Sequence, residues 1–492
     1  MTNSNGAKFA VFALMAMVAI AAGFVISFDR YQTATFGIVA IVGGLVVVSL
    51  QLRNQFFGLA TLVATAVAAP IQFGGDGRSQ WNTSFFIAIF LCVLWLVDLV
   101  VLRRATPPPG SRVRYAAWGM IASALISYGV AQLPSFTSTG APVGAQTAQL
   151  LIFVVSTATF LIAGQLIGNL ANLKKLTGIF LVAGAFVCFI NVAASTILPP
   201  LDIVDRVTHV ASVGSVFWTW LTAMSLAQAI FNRQLSPGWR MACVAVTILT
   251  VFRGLLNQSW ASGWVPVLIA VGVITLFRFP RLTIFAAGMV GVLVLFMASG
   301  ISTFTPQEEE YSAMTRRAAA ETLWPLILSH PLVGTGPANY YYHVASTAIL
   351  GWYVRFNSHN QYLDIAAQLG GLGMLAYAWL VAEMGLATWK LRTVFRDNFC
   401  EAYAIGALAG LVATVISGAL ADWIFPFYYN IGIEGMRSSL LFWIFMSGIF
   451  VLRDVQEEEA MAAEWGSEPM HLDESIPEVP VMALRRDWSQ IS

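Results

Sequence analysis

The chain has 492 residues, 58% of them hydrophobic and only 10% charged, with mean hydropathy +0.73 and a formal net charge of +1. A soluble domain carries about 25% charged residues, so the composition excludes one and describes an all-α, polytopic integral membrane protein. The basic residues are dispersed among short loops, which leaves no nucleic-acid surface. Cys92, Cys188, Cys243 and Cys400 sit in or beside apolar runs with no CxxC pair, so neither a disulfide framework nor a zinc site is indicated.

Lys8 precedes the first apolar run and no small-residue cleavage site follows it, so that run reads as a retained span. Fourteen runs qualify as spans: 9–27, 33–50, 56–71, 84–102, 115–133, 147–169, 177–197, 213–232, 239–256, 262–277, 282–300, 366–389, 401–420 and 438–452. The third and last are short, which sets the count at 12–14. With the N-terminus in the cytoplasm, alternation puts Arg53, Arg103-Arg104, Lys174-Lys175, Arg233, Arg278 and Lys390 on cytoplasmic connections. In all, eighteen of the twenty-six basic residues then lie on that side, and the C-terminus returns to it. The outer side keeps Arg30, Arg78, Arg206, Arg253, Arg316, Arg317, Arg355 and Arg437.

This divides the chain into membrane helices over 1–300, a large extracytoplasmic loop over 301–365, further membrane helices over 366–452, and an acidic tail over 453–492. The loop is the one long polar interruption. Pro306 to Ser329 is helix-compatible, with Glu308-Glu309-Glu310 complementing its N-terminus. Pro331 and the run Gly334-Thr335-Gly336-Pro337 stop it. An aromatic segment follows, with Tyr340, Tyr341, Tyr342, Trp352 and Tyr353. The tail, with Glu457-Glu458-Glu459 and scattered prolines, reads as mostly disordered after one or two helical turns.

The sequence holds no GxxxxGK[ST] loop, no HExxH and no carboxylate cluster inside the spans, so it calls for no metal or cofactor. Asp98, the clearest acid in a span, reads as an interfacial partner of Arg103 and Arg104. Arg253 lies in the last turns of its span, where a charge is costly, and reads either as snorkelling outward or as an outer-leaflet anion site. Arg316 and Arg317 cannot share one narrow helix stripe, so one faces the membrane-proximal space and the other solvent. His359 stands just above the start of a span, pointing beneath the loop. Gly370 and Gly373 lie three apart on one face, where a neighbouring helix could approach. His330 precedes Pro331 at a helix end and fits a dipole partner. His343 and His209 have no supporting context.

Arginines bind phosphate bidentately and stay charged, aromatic faces stack on sugars, and a histidine takes a proton near neutral pH. Gathered at the outer membrane surface, this set suits a glycosyl transfer whose leaving group is a lipid-linked pyrophosphate.

Two motifs resemble those of the O-antigen ligase and O-antigen polymerase superfamily. His359-Asn360, nine residues, Gly370, two residues and Gly373 is similar to the ligases' signature. His330-Pro331-Leu332-Val333-Gly334-Thr335-Gly336 running to Tyr340 looks like a second family run, with Arg316-Arg317 about fourteen residues before it. The family's Ser-Arg pair is absent: Ser259-Trp260-Ala261 puts an alanine at the arginine position, and Arg253 stands eight residues before it. The resemblance implies an inner-membrane enzyme with both termini cytoplasmic. It would move a glycan from undecaprenyl pyrophosphate to an acceptor hydroxyl, alongside polysaccharide assembly proteins.

His359 would be the base, and Arg316, Arg317 and Arg253 would serve the pyrophosphate. Asn360, His330, Gly334, Gly336, Tyr340, Tyr341 and Trp352 would contact substrate. A polymerase of lipid-linked repeat units is the alternative within the family. A flippase of lipid-linked saccharide and a structural scaffold are the alternatives outside it.

Overall fold

The computed structural model describes residues 55–68, 72–73, 81–100, 111–133, 140–196, 215–257, 261–284, 287–288, 307–344, 353 and 355–467. Two compact units divide the chain, residues 1–452 and residues 453–492. In chain order the described elements begin with α1 (Gln55–Ala68), the two-residue strands β1 (Gln72–Phe73) and β2 (Trp81–Asn82), and α2 (Thr83–Val100). Then come α3 (Arg112–Ala131), α4 (Val143–Ile167), α5 (Leu170–Thr196), α6 (Ser215–Phe231), α7 (Pro237–Asn257) and α8 (Ala261–Arg278). The loop holds α9 (Gln307–Ser329) and the single turn α10 (Tyr340–His343). It is followed by α11 (Gln361–Leu391), α12 (Phe399–Gly418), a 3-10 turn at Gly432–Gly435 and α13 (Met436–Ser467).

The strands pair antiparallel, Gln72 with Asn82 and Phe73 with Trp81. Predicted spans 9–27 and 33–50, and nearly all of 282–300, lie outside the described residues; the other eleven fall on helices. Among the described residues, six helices are long and apolar enough to cross a membrane: α2, α4, α5, α11, α12 and α13. The chain is a multi-pass, all-α membrane protein.

Burial sorts the spans. The apolar window of α13 is 100% buried, those of α12 and α4 are 83% and 78% buried, and those of α2 and α5 only 33%. A helix apolar on every side belongs in the middle of a bundle, and one with a lipid-facing side belongs at its edge. Small residues set the close contacts. Gly410 lies against the Trp220 ring and Gly448 against the Tyr403 ring, where any side chain would collide.

The final helix runs on to Ser467 instead of stopping within two turns of Leu452. The stretch after Arg453 is rich in Glu and Ala, strong helix formers, and Arg453 pairs with Glu457 one turn on. The rest of the tail, with its predicted disorder, lies outside the described residues.

The loop and α11 meet in a joint that the sequence reading did not foresee. Gly370 has φ 63° and ψ −160° in the middle of α11, so the helix breaks there. The atoms nearest a Cβ placed on Gly370 belong to the loop segment Pro331–Gly336. Thr335 N–H donates to Ala367 O at 2.8 Å and Gly336 N–H to Gln368 O at 3.0 Å. In return Gly371 N–H donates to Pro331 O at 2.8 Å and Leu372 N–H to Leu332 O at 3.0 Å. Ser127 Oγ of α3 also donates to Gln368 O, at 2.7 Å. An unpaired backbone group in hydrocarbon costs several kcal/mol, and these bonds remove that cost. They require the two backbones to touch. A Cβ on Gly370 would stand 2.5 Å from Gly334 N, and one on Gly334 2.4 Å from the Gln368 carbonyl carbon.

Gly370→Ala should therefore lower the Tm of the detergent-purified protein by several degrees. The backbone region alone costs a non-glycine residue about 1–3 kcal/mol, and the collision adds to it. Gly385→Ala, in the same helix with only an ordinary 3.8 Å contact, should leave Tm unchanged or slightly raised. Equal effects of the two substitutions would remove the joint from the account.

Candidate functional site

His359 sits in the four-residue link Asn357–Asn360 that leads into α11, at the end of the bundle where α12 stops. The link is over-determined by hydrogen bonds. Asn360 is the N-cap of α11, its Oδ1 accepting from Tyr362 N–H and Leu363 N–H at 3.0 and 3.2 Å. Asn360 Nδ2 donates to Ala419 O at the end of α12, at 3.3 Å. Buried Ser358 donates its hydroxyl to Asp364 Oδ1 at 2.7 Å and accepts from Asn360 N–H at 3.0 Å. Held between these anchors, His359 adopts φ +48°, the left-handed region that side chains seldom occupy. Strain of this kind persists only where the surroundings impose it, and it collects at functional sites.

Behind the link lie two fully buried acids. Asp364, in the first turn of α11, accepts from the Tyr340 hydroxyl in a short hydrogen bond. Burial, then the neighbouring Asp364 and Asp422, push the Tyr340 hydroxyl well above its usual range, so it stays protonated as a donor. Asp422 follows α12. Its Oδ2 accepts from Phe427 N–H at 2.9 Å, and its Oδ1 from Asn430 Nδ2 at 2.7 Å and Asn357 Nδ2 at 3.3 Å. Asn357 Oδ1 in turn accepts from His359 N–H at 3.2 Å. The chain Asp422–Asn357–His359 thus ties the loop after α12 to the histidine backbone.

Three influences act on the His359 imidazole. Desolvation by the surrounding protein is largest and lowers its pKa; the Asp422 carboxylate raises it; the Arg316 guanidinium lowers it. The net result lies below the usual 6.5, so the ring is neutral at pH 7 and can accept a proton.

The structure separates the two adjacent arginines. Arg317 points outward and pairs with Glu321 at 2.9 Å, with side chains 83% and 66% exposed. Arg316 is half-buried, its Nε has no hydrogen-bond partner, and it lies within electrostatic reach of His359. Arg253 is buried on α7. Its guanidinium stacks 4.3 Å over Trp218 of α6, and its Nε donates to Asn191 Oδ1 of α5 at 2.9 Å. Trp220, two residues on, donates to Thr414 near the end of α12, so Arg253 lies at the same end of the bundle as His359. Arg437 is buried at the start of α13, with Nη2 3.5 Å from Thr65 O of α1.

The remaining predicted site residues fall into two groups. Gly334 and Gly336 are buried and act through their backbone in the joint. Tyr340 is fully buried and stacks on Phe427 at 4.6 Å, so it supports the link from behind. His330 is half-buried, with Nδ1 2.9 Å from Ser329 Oγ and its ring 6.2 Å from His343. Burial, and secondarily His330, hold the His343 pKa below its usual value. Tyr341 is part of an accessible aromatic ridge. It stacks on Tyr429 at 4.3 Å, Tyr428 meets Tyr429 at 5.0 Å, and Arg355 covers Tyr342 at 4.0 Å. Trp352 lies outside the described residues, and Tyr353 is exposed.

Sequence reasoning passed over Asp422, Asp364 and Asn357. The signal was an acid set among apolar and aromatic neighbours, Ala421-Asp422-Trp423-Ile424-Phe425, which deserves a functional reading wherever a span ends.

No curated protein matches the chain. Residues 245–378 match the family model described as O-antigen ligase. The matched stretch runs from the second half of α7 through the joint at Gly370 and holds Arg253, Arg316 and His359, while Asp422 lies beyond it. Through that stretch, about a quarter of its length, the chain is similar to the O-antigen ligase family.

Proposed function

We propose that the protein transfers a glycan from undecaprenyl pyrophosphate to an acceptor hydroxyl at the outer face of the bacterial inner membrane, in the manner of a ligase. The observation that carries this reading is an exposed histidine in a left-handed backbone conformation, tied through Asn357 to the buried Asp422 and within electrostatic reach of Arg316, at one end of an apolar bundle. In one inverting displacement, His359 takes the proton of the acceptor hydroxyl as its oxygen bonds to the anomeric carbon. The bond from that carbon to the phosphate oxygen breaks, and the pyrophosphate leaves with the electron pair. Arg316 meets the charge growing on the leaving group, and Arg253 supplies a second cation at the same end. The ridge of Tyr341, Tyr342 and Tyr428 offers faces for the sugars. In this reading the charge compensation is metal-independent, Arg317 stays in solvent, and both termini lie in the cytoplasm.

A strain carrying His359→Ala at normal membrane levels should lose surface polysaccharide and accumulate a lipid-linked precursor. Full-length unattached polymer marks a ligase, and single repeat units mark a polymerase. Full complementation would remove His359 from the chemistry.

The pH profile tests the electrostatics. Protonation silences the base, so activity should fall as pH drops through the depressed His359 pKa, below 6.5. Arg316→Gln removes a lowering influence and should move that acidic limb to higher pH, besides reducing the rate. Asp422→Asn removes a raising influence and should move it to lower pH. Purified enzyme, lipid-linked donor and acceptor, assayed across pH, give the limb position separately from the maximal rate. A limb that neither substitution moves would detach these groups from His359.

A further inference from the structure

A groove lies at the other end of the bundle. α12 starts at Phe399 and ends at Gly418 beside the His359 link, so its two ends stand about 30 Å apart. Phe399 borders a cavity of about 510 Å³ between α5, α6 and α7. That volume falls within the range of small-molecule sites, about 300–1,000 Å³. The walls are apolar: Leu181, Val182 and Ala185 of α5, and Ala242, Cys243 and Val246 of α7. From Lys174 to Ala185 the cavity climbs eleven residues of helix, about 16 Å, or half of a hydrocarbon core about 30 Å thick. Val182 and Trp239 on its rim are about 60% exposed, so it opens sideways toward lipid.

Its floor is polar and incomplete. Asn232 Nδ2 donates to Gln228 Oε1 at 2.8 Å, and both residues are more than nine-tenths buried. The pair leaves one donor, Gln228 Nε2, and one acceptor, Asn232 Oδ1, without a partner. Turning both amides over leaves one of each again. Lys174 stands at the rim beside Lys175, its ammonium 5.7 Å over the Phe399 ring, while Arg233 at the adjacent end of α6 is paired with Asp397 at 2.8 Å.

We propose that this groove holds one anionic phospholipid with a hydroxyl-bearing headgroup, a phosphatidylglycerol, from the leaflet opposite the His359 site. An acyl chain fills the slot between α5 and α7. The phosphate sits at Lys174, and a headgroup hydroxyl, donor and acceptor at once, completes the Gln228–Asn232 pair. Basic pockets between spans on the cytoplasmic side are suited to such headgroups.

The test uses the full-length protein in phosphatidylethanolamine nanodiscs with a trace of phosphatidylglycerol carrying a diazirine in its acyl chain. After irradiation, adducts should map to residues 178–185 and 242–246. Unlabelled phosphatidylglycerol should suppress them, and added phosphatidylethanolamine should not. Lys174→Gln and the pair Gln228→Leu with Asn232→Leu should each cut the adduct yield several-fold. Should the buried double substitution fail to fold, Gly178→Leu serves instead: a Cβ there meets open space, so the side chain fills the groove without a clash. Equal competition by the two lipids, or adducts that persist in Gly178→Leu, would overturn the proposal.

Discussion

The hydrocarbon interior offers a peptide group no bonding partner, and the His359 end of this protein is organised by how that demand is met at Gly370. A helix that breaks inside a membrane frees carbonyls above the break and amides below it. Here the loop segment Pro331–Gly336 takes up both sets through its own backbone. Because main chain meets main chain, the loop cannot drift relative to the span. The rest follows by short steps. Ala338 N–H donates to Gln368 Oε1 at 2.8 Å, which fixes the turn that carries Tyr340. Tyr340 fixes Asp364, Asp364 fixes Ser358, and Ser358 fixes the twist at His359.

The second organising element is the loop after α12. Gln361 at the head of α11 accepts from Ile424 N–H and Phe425 N–H, at 3.1 and 2.9 Å. Gln149 of α4 accepts from Tyr428 N–H at 2.7 Å. Asp422 closes this loop on itself before reaching toward His359. One carboxylate therefore shapes the loop and also sets part of the field at the imidazole. The opposing guanidinium comes from α9, an element remote in sequence. Charges of opposite sign from two independent pieces of chain meet at a ring whose backbone is held out of its preferred conformation. Pre-organisation of this kind lowers the reorganisation required when charge develops during a reaction.

Much of this was legible beforehand, for reasons tied to single residues. The loop helix was expected over Pro306 to Ser329 and spans Gln307–Ser329, because proline and glycine punctuate the chain on its C-terminal side. The division of labour between Arg316 and Arg317 follows from adjacent residues lying about 100° apart on a helix. The joint was not legible. Gly370 and Gly373 in an apolar run look the same whether a helix or a loop comes near, and the partner sits more than thirty residues away. The aromatic ridge was half seen: Tyr341 and Tyr342 stood out, but Tyr428 and Tyr429 arrive from a separate loop. Asp422 was overlooked because a lone acid between spans is ordinary until its burial is known.

The joint also limits how this part of the molecule can be exchanged. A lock made of peptide groups has two halves, one in the loop and one in the span, and neither recognises its mate through side chains that a designer could copy. Replacing the loop with that of another protein would present the broken helix with a backbone of different path, leaving its carbonyls without partners. Any selectivity this loop carries could be regrafted only as a cassette in which loop and following helix travel together.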